Sequence, residues 1–481
     1  MLDVRSSGVG GLLLSPGGGR PIRYHERMRY HIVTLGCAKN VADSERIGRV
    51  LGEGAHVAVA QASSADVIIV NTCGFIDASK EESVDTILGL AAAKTRGQRL
   101  VVAGCLTALH GDELRAEIPE IDAVFGAEDW GGIGAYARTV EPLRLDAQRY
   151  DVPDTAAAAA THAARPSAYL KISDGCNAPC TFCIIPKMKG RLHSTPAEAL
   201  VEDARRLADE GVREVVLVAQ DSTDYGRDLG LRDALPDLLE RLSDAVPDVP
   251  WLRVMYAYPG HVTRRLAETM ARLPNVVPYL DIPLQHASEP VLRRMKRPSD
   301  TRMVREMFAM LRDTMPDIAL RTTFIVGYPG ETDADFSELL AFVREMAFDR
   351  VGCFTFSPQS ESPAAHEPDQ VPERVKKRRQ RALMEVAQQV STVRNREMVG
   401  REIDVLVEST AAVPRDGVDG AFVVGRSYRD APEVDGLVLL EGDFRPGDFV
   451  RARVTRALAY DVVAAPVCAA SPNEHAIPAK A

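Results

Sequence analysis

The chain has 481 residues, more than the roughly 250–300 at which a single hydrophobic core stops growing, so two or three domains are expected. Its 46% hydrophobic and 26% charged residues are ordinary globular values, and it contains no run of about 18 apolar residues that would predict a membrane span. The net charge of −10 argues against a protein whose main task is to bind nucleic acid. Eight cysteines without a recognisable export signal favour metal binding or catalysis over disulfides, and a cytoplasmic location.

Residues 1–27 are predicted to be a disordered extension. They are rich in glycine and lack the period of a helix or strand, and their Leu-Leu-Leu run is too short for the apolar core of a signal peptide. We therefore expect the folded chain to start at Met28 and the extension to be dispensable.

Residues 28–141 repeat a short apolar strand, a polar turn and a helix, which predicts an α/β domain with an open parallel sheet. The strands predicted at 30–35, 66–70 and 100–103 are followed by Cys37, Cys73 and Cys105. Because the carboxyl ends of parallel strands face one side of a sheet, these three cysteines could converge there and bind a metal cluster. Taken singly, each could instead be a small buried hydrophobe.

Residues 142–167 are rich in proline and alanine and lack apolar periodicity, so they are predicted to be a linker. Over 168–395, strands and amphipathic helices alternate, which indicates a partial (β/α)6 barrel with right-handed crossovers. The six strands are predicted at 169–172, 214–219, 252–256, 277–282, 321–326 and 351–356.

The first of these strands is followed by Cys176, Cys180 and Cys183, with the spacing CxxxCxxC. Three thiolates on one tight segment suit three corners of a cubane iron–sulfur cluster and leave one iron with an open position. Structural zinc is the alternative, with His193 as the only nearby candidate for a fourth ligand. A disulfide is disfavoured because the number of cysteines is odd.

This cysteine segment, with Phe182 directly before its last cysteine, resembles the radical S-adenosylmethionine (SAM) superfamily. The resemblance implies that SAM binds the open iron and is cleaved to a radical that removes an unactivated hydrogen, and that Phe182 lies against the adenine. A core aromatic is the alternative for Phe182. Further SAM or substrate contacts are expected from Gln220, Gln285 and Gly327 at the carboxyl ends of later strands, with turn and cap chemistry as the alternative.

Residues 372–396 are predicted to form a helix with a cluster of basic side chains. They are Arg374, Lys376, Lys377, Arg378, Arg379 and Arg381. Such a run usually covers a solvated face, although it could also meet RNA or another domain.

Residues 396–468 contain short β-rich segments between glycine turns, which predicts a small antiparallel β-barrel, and residues 469–481 are predicted to be a tail. The barrel resembles the TRAM domain, which binds RNA in many proteins. Over 400–468, however, eight arginines and no lysine stand against twelve Asp and Glu, a net charge of −4. Because phosphate binding needs basic contacts, this barrel is better suited to a basic partner.

The segments around Cys37, Cys73 and Cys105 (GCAKNVADSE, NTCGFID and AGCL) resemble the amino-terminal domain of the methylthiotransferase family. The resemblance implies that these cysteines bind a second [4Fe-4S] cluster, also with an open iron, where the sulfur to be inserted is held.

Three polar residues of the first segment, Asn40, Asp43 and Glu45, match the family pattern. For Asp43 and Glu45 we favour a role in capping and the first turn of the following helix.

Two segments favour one branch of this family. GCAKN at 36–40 and DIPLQHAS at 281–288 resemble the branch that modifies a ribosomal protein, although Ala38 stands where many members have proline. The implied reaction replaces a hydrogen on the β-carbon of an aspartate in small-subunit ribosomal protein S-twelve by a methylthio group. The implied cofactors are two [4Fe-4S] clusters and SAM, which serves as radical source and as methyl donor.

Two other functions are left open. A tRNA adenosine methylthiotransferase would use the same two clusters, and a non-enzymatic, metal-bearing RNA-binding protein would use the barrel alone. The acidic charge of the chain and of its barrel favours the protein substrate, because a tRNA presents a dense line of phosphates.

Overall fold

The computed structural model describes residues 27–140, 165–410 and 422–467. They belong to two compact units, one containing the amino-terminal domain and the other the central sheet domain and the carboxy-terminal barrel. The predicted extension before residue 27, most of the predicted linker and the predicted tail lie outside the described residues. None of the helices in the described part of the chain combines the length and apolar character needed to cross a bilayer.

The amino-terminal domain is an open parallel sheet flanked by helices. Its strands are β1 Arg29–Thr34, β2 Val57–Ala58, β3 Val67–Thr72, β4 Arg99–Gly104 and β5 Ala123–Val124. Its helices are α1 Ala38–Glu53, α2 Asp77–Ala93, α3 Cys105–Glu117 and α4 Trp130–Ala137. The strand order is β2-β1-β3-β4-β5 with every pair parallel, which confirms the predicted sheet.

The central strand of this sheet, β3, is buried along its whole length. On one face, Ile69 belongs to a core that includes Ile47 of α1, and on the other, Ile68 and Val70 belong to a core that includes Ile87 of α2. A strand covered on both faces has an unbroken apolar sequence, which is why it could be predicted.

The central domain is a six-stranded parallel sheet with helices between its strands. The strands are β6 Ser167–Lys171, β9 Glu214–Val218, β10 Trp251–Val254, β11 Val276–Asp281, β12 Ala319–Val326 and β13 Arg350–Thr355, and a small hairpin after β6 consists of β7 Ser173–Asp174 and β8 His193–Ser194. The helices are α5 Ile185–Met188, α6 Ala197–Asp209, α7 Leu235–Ala245, α8 Arg264–Arg272, α9 Glu289–Arg294, α10 Thr301–Thr314, α11 Asp333–Met346 and α12 Glu373–Arg396. The order β13-β12-β11-β10-β9-β6 leaves β6 and β13 as edges, as the predicted partial barrel requires.

Local sequence signals set the ends of these helices. In α11, Thr332 accepts a hydrogen bond from the N–H of Asp335, and the Asp335 carboxylate accepts one from the N–H of Thr332, which forms a capping box. At the other end, Ala347 takes a left-handed conformation and stops the helix.

The carboxy-terminal domain is a closed barrel of five strands. They are β14 Glu402–Ser409, β15 Phe422–Arg426, β16 Val438–Glu441, β17 Phe449–Ala457 and β18 Val462–Pro466, in the order β14-β15-β16-β18-β17. The predicted barrel is confirmed, but it is not wholly antiparallel, because β16 pairs with β18 in parallel. The last strand, β18, is short and ends in proline, so its sequence does not mark it as part of the barrel.

Buried charges fix this barrel to the amino ends of the central strands. Glu214, the first residue of β9, accepts a hydrogen bond from Arg253 Nε at 2.7 Å and also pairs with Arg426 of β15. All three side chains are almost fully buried, and the two guanidinium groups hold the pKa of Glu214 down to about 2. Nearby, Arg429 pairs with Asp349 at 2.7 Å. The carboxyl ends of the central strands therefore stay clear of the barrel.

Candidate active site

The CxxxCxxC cysteines lie between β7 and β8, beyond the carboxyl end of β6. The base of this hairpin is fixed by Asp174, whose carboxylate pairs with Lys171 at 2.7 Å and with Lys189 at 3.1 Å. His193 is exposed and lies opposite Asp174 in the β7–β8 pair.

The three thiols are spread more widely than the ligands of a single zinc ion. In the described part of the chain, no group of three ligand atoms within 4.8 Å of one another includes a cysteine. Sulfur atoms around a tetrahedral zinc, with Zn–S of roughly 2.3 Å, lie about 3.8 Å apart. A cubane accepts wider spacing, because each thiolate binds a different iron.

Donors already face these sulfur atoms. The N–H groups of Ala178 and Ile185 donate to Cys176 Sγ and Cys183 Sγ, each at 3.4 Å. Arg297 Nη1 lies 3.9 Å from Cys180 Sγ. Such donors stabilise sulfur ligands that carry negative charge. The cysteine segment therefore fits an iron–sulfur cluster.

Burial favours the thiol form of two of these cysteines. It raises the pKa of Cys183 to about 12 and also raises that of Cys176. Cluster binding at these positions must therefore release protons.

The predicted SAM contacts lie near this segment or at the ends of later strands. Phe182 is half-buried and packs against a cluster that includes Met295 and Tyr328. Gln220 is half-buried two residues beyond the end of β9.

Gln285 occupies a strained backbone conformation just beyond β11. Its φ is +74°, a region that residues other than glycine seldom adopt. Its N–H donates to the carbonyl of Thr323 at 2.8 Å, and its carbonyl accepts from the N–H of Ile325 at 2.7 Å. These bonds to β12 hold the strained residue at the edge of the site.

Gly327 follows β12, and both its backbone conformation and the packing around it require a glycine. Its φ is +75°, and a Cβ at this position would lie 2.3 Å from Lys376 Cγ. Its N–H donates to the carboxylate of Glu331. A contact between this residue and SAM stays a prediction.

The basic run on α12 is divided between the interior and the surface. Lys376 is buried and donates to the carbonyl of Phe356 at 2.7 Å, and Arg379 is buried beside Glu331 at 3.1 Å. The expected solvated face is formed only by the other four members of the run, which are exposed.

A polar cluster that the sequence analysis did not assemble lies beyond β9 and β10. Asp221 Oδ2 is 3.0 Å from Nδ1 of His261, and Asp224 Oδ1 is 3.9 Å from the same nitrogen. The ring of Tyr258 lies between His261, at 4.9 Å, and the guanidinium of Arg297, at 4.1 Å. The one signal of this cluster in the sequence is that its residues follow the ends of two neighbouring strands, β9 and β10.

In the amino-terminal domain, the loops that carry the other three cysteines approach closely. These cysteines are Cys37, Cys73 and Cys105. A Cβ on Gly36 would lie 2.7 Å from the Cβ of Cys73. A Cβ on Gly74 would lie 2.7 Å from the Cα of Leu106, the residue after the third cysteine. Because neither glycine has a Cβ, the three loops can approach each other as the predicted convergence of their cysteines requires.

Asn40 links two of these loops. Its Nδ2 donates to the carbonyl of Thr72 at 3.0 Å, and Cys37 Sγ donates to its Oδ1 at 3.4 Å. The capping role that we favoured for Asp43 and Glu45 is wrong, because α1 begins at Ala38 and has no acidic residue in its first turn. Asp43 instead lies one turn later and is only 2% exposed.

Three family models match the chain. They are the uncharacterized protein family UPF0004 over residues 29–126, the radical SAM superfamily over 170–343 and the TRAM domain over 399–467. The resemblances to the radical SAM superfamily and to the TRAM domain are thereby confirmed. Membership of the radical SAM superfamily implies a requirement for SAM and a [4Fe-4S] cluster.

Relatives match the chain over nearly its whole length. It is 48% identical over 459 residues to the ribosomal protein uS12 methylthiotransferase RimO of Roseiflexus sp. (strain RS-1), covering 90% of this chain and 96% of that one. It is 47% identical over 454 residues to the protein of the same name from Chloroflexus aurantiacus, covering 90% and 99%.

Among solved structures, the chain resembles the radical SAM methyltransferase TsrM from Kitasatospora setae with tryptophan substrate and a SAM analog bound. The TM-score is 0.52 at 13% identity, covering 70% of this chain and 75% of that one. At this identity the likeness shows the fold alone.

Proposed function

The chain belongs to the RimO family of ribosomal protein uS12 methylthiotransferases, and on that premise we propose that it adds a methylthio group to the β-carbon of an aspartate in uS12, the small-subunit protein S-twelve. The observation that carries the proposal is the match over 90% of the chain to relatives named for this activity. Because the substrate belongs to the ribosome, the proposed reaction takes place in the cytoplasm.

The proposed cofactors are SAM and two [4Fe-4S] clusters. One cluster is assigned to Cys176, Cys180 and Cys183, and the other to Cys37, Cys73 and Cys105. When bound, these groups would supply the radical and the methyl group and would hold the sulfur to be inserted, chemistry that no amino-acid side chain can provide.

The work of the chain itself is to hold and orient these groups. The Asp174 ion pairs fix the hairpin that carries one set of thiols, and backbone N–H groups direct two of the sulfur atoms. Arg297 brings a positive charge to Cys180 and is itself held against the ring of Tyr258. This arrangement supports a cluster whose ligands are set before substrate arrives.

The barrel supports a protein substrate over a tRNA because most of the arginines that the structure describes in it pair with carboxylates of the chain. Five of the seven arginines that the structure describes between residues 400 and 467 form ion pairs with carboxylates, namely Arg401, Arg426, Arg429, Arg451 and Arg453. Binding to phosphates needs cations that are available to replace counterions. Binding a basic protein needs no such cations, because the barrel, with its net charge of −4, attracts positive charge.

The direct test is to incubate the reconstituted enzyme with SAM, sulfide and a reductant, separately with isolated uS12 and with unmodified tRNA. We expect one methylthio group on an aspartate of uS12 and none on tRNA, measured by mass spectrometry of peptides and nucleosides. A methylthio group on adenosine, with uS12 unchanged, would contradict the proposal.

A further inference from the structure

One positive charge lies against the CxxxCxxC segment without a carboxylate partner of its own. Arg297 Nη1 is 3.9 Å from Cys180 Sγ, and its Nη2 donates to the carbonyl of Pro283. Within the described residues no carboxylate pairs with this guanidinium, and its Nε is buried without a hydrogen-bond partner. The charge of Arg297 is therefore not neutralised by an acidic side chain and acts on the sulfur of Cys180.

The end of α9 fixes the backbone of Arg297. Lys296 takes a left-handed conformation, with a φ of +52°, and its N–H donates to the carbonyl of Arg293 at 3.1 Å. The N–H of Arg297 donates to the carbonyl of Leu292 at 2.9 Å. These two bonds form a Schellman motif, which ends the helix and sets the direction in which the chain leaves it.

The same end of α9 is bound to the cysteine segment. Thr181 follows Cys180 directly, and its N–H donates to the carbonyl of Met295 at 3.2 Å. The hydroxyl of Thr181 donates to the carbonyl of Arg294 at 2.8 Å. Because these bonds hold the helix end beside Cys180, the approach of Arg297 to the sulfur is set by the backbone as well as by the reach of a long side chain.

An aromatic ring also holds the guanidinium. Its carbon lies 4.1 Å from the centroid of the Tyr258 ring, well within the roughly 6 Å at which a ring face attracts a cation. The N–H of Tyr258 donates to the hydroxyl of Thr223 at 3.0 Å, which fixes the ring beyond β10. The ring and the carbonyl of Pro283 together restrict the guanidinium to the position beside the sulfur.

The carboxylates of the neighbouring polar cluster already have partners. Asp224 pairs with Arg227 at 3.1 Å, and Asp221 lies 3.0 Å from the ring nitrogen of His261. In the described part of the chain, Arg297 is the only cation within hydrogen-bond distance of a sulfur of the CxxxCxxC segment. This position lets one side chain change the electrostatic surroundings of the segment.

We propose that Arg297 raises the reduction potential of the cluster assigned to Cys176, Cys180 and Cys183. Net charge and hydrogen bonds to the sulfur ligands set the potential of such clusters, and a nearby positive charge stabilises the reduced form, which carries one more negative charge. The step concerned is the transfer of one electron from an external one-electron reductant, with no bond formed or broken. Tyr258 acts through Arg297 by holding it in place. The inference rests on the proposed function, because it gives a role to a residue beside the cluster that the proposed reaction uses.

The test measures the midpoint potential of this cluster alone. A background variant with alanine at Cys37, Cys73 and Cys105 is expected to keep only the CxxxCxxC cluster. After anaerobic reconstitution it is titrated with dithionite in the absence of SAM, and the reduced cluster is followed by electron paramagnetic resonance. Iron content and the affinity for SAM are measured on the same samples.

Three substitutions are placed in this background. Arg297→Gln removes the charge, Arg297→Lys keeps it on a different side chain, and Tyr258→Leu removes the ring that holds the guanidinium. The control is Arg293→Gln, which removes an exposed arginine of α9 that pairs with Glu289 at 2.9 Å.

We expect Arg297→Gln to lower the midpoint potential by roughly 59 mV, which corresponds to a tenfold smaller ratio of reduced to oxidised cluster for one electron. Arg297→Lys and Tyr258→Leu should lower it by less, because the first retains a positive charge and the second retains the guanidinium. Arg293→Gln should leave the potential unchanged. Every variant should retain about four irons per chain.

An unchanged potential in Arg297→Gln with its iron retained would overturn the role of Arg297 and leave the proposed function intact. Weaker SAM binding at an unchanged potential would assign the guanidinium to SAM and also overturn it. If Arg297→Gln loses its iron, Tyr258→Leu decides, and a potential equal to that of the background would overturn the proposal. A background variant that binds no iron would remove the cluster and the role together. Wild-type enzyme that leaves uS12 unmodified, with the potentials shifted as expected, would instead remove only the proposed function.

Discussion

At the scale of single residues, no other side chain can replace the cysteines of the two proposed cluster sites. Iron in such clusters is held by cysteine sulfur, and each site offers only three. Loss of one ligand would leave two irons of a cubane without a protein ligand. The neighbouring donors, such as the N–H of Ala178, orient sulfur but cannot replace it.

We expect the two cysteine groups to be separable by mutation. Alanine at all three CxxxCxxC positions should lower the iron from about eight to about four per chain and abolish SAM cleavage. Alanine at Cys37, Cys73 and Cys105 should also halve the iron but leave SAM cleavage intact, because the hairpin in the other unit is untouched. Iron and sulfide analysis with chromatography of the SAM products measures both. Full iron content in the second variant would mean that the amino-terminal cluster does not exist.

Glu331 is expected to make the stability of the chain depend on pH. Burial raises its pKa from 4.5 to about 7, even though Arg379 lies 3.1 Å away. His286, 3.9 Å from the carboxylate, stays neutral because burial lowers its pKa to about 3. An acid with a raised pKa binds its proton more tightly in the folded chain, so its contribution to stability is complete below pH 4.5 and is lost as pH rises through about 7.

Glu331→Gln should therefore flatten the fall in stability between about pH 5 and about pH 7, by up to about 3 kcal/mol. Urea unfolding of the metal-free chain at several pH values measures this slope without interference from cluster loss. Glu385→Gln, at an exposed position of α12, is the control and should keep the wild-type slope. An identical slope in both variants would contradict the role of Glu331.

At the scale of elements, one carboxylate joins strands from two domains. Glu214 of β9 is held between Arg253 of β10 and Arg426 of β15. Breaking a buried ion pair by removing one partner leaves uncompensated charge in the interior. This position therefore couples the stability of the central sheet to that of the barrel.

Glu214→Gln is expected to destabilise the chain by about 3–5 kcal/mol in urea unfolding at neutral pH. In the wild type, the depressed pKa of about 2 means that this stabilisation is present above pH 4.5 and is lost as pH falls towards 2. The control is Glu402→Gln in the barrel, where the carboxylate pairs with Arg453 at the surface and its loss should not move the midpoint. Equal midpoints for the two variants would show that the buried pair adds nothing.

Elements with strong local patterns could be predicted from sequence, and elements defined by tertiary pairing could not. The six central strands lie within two residues of their predicted ends because each is an apolar run bounded by turn residues. The two-residue strands β2 and β5 are too short to leave a period, and the parallel pairing of β18 depends on how the barrel closes.

The same division holds at the site. The positions of the cysteines beyond the ends of strands could be predicted, because each follows an apolar run, and their role as cluster ligands stays a prediction. Arg297 approaches Cys180, which is far away in the sequence. Lys376 and Arg379 are buried, although they belong to a basic run that would be expected to face solvent. No local pattern encodes such contacts, because they are set by which helices pack together.

At the scale of the whole molecule, charge favours encounter with a basic partner. The chain carries −10 and its barrel −4. Such attraction acts over about 8 Å at physiological ionic strength, so it affects association more than the chemical step. We expect kcat/KM for uS12 to fall as salt rises from about 0.05 M to about 0.3 M while kcat stays constant. Steady-state kinetics measure this, and a kcat/KM that rises with salt would contradict it.

The buried charges between the barrel and the central sheet also decide how this chain can be divided. A protein truncated before β14 would lose Arg426 and Arg429, which pair with Glu214 and Asp349, so we expect it to be less stable than the whole chain. A barrel transplanted from another protein would need arginines at those two places. The central domain and the barrel therefore have to be kept together when this chain is shortened or recombined with another protein.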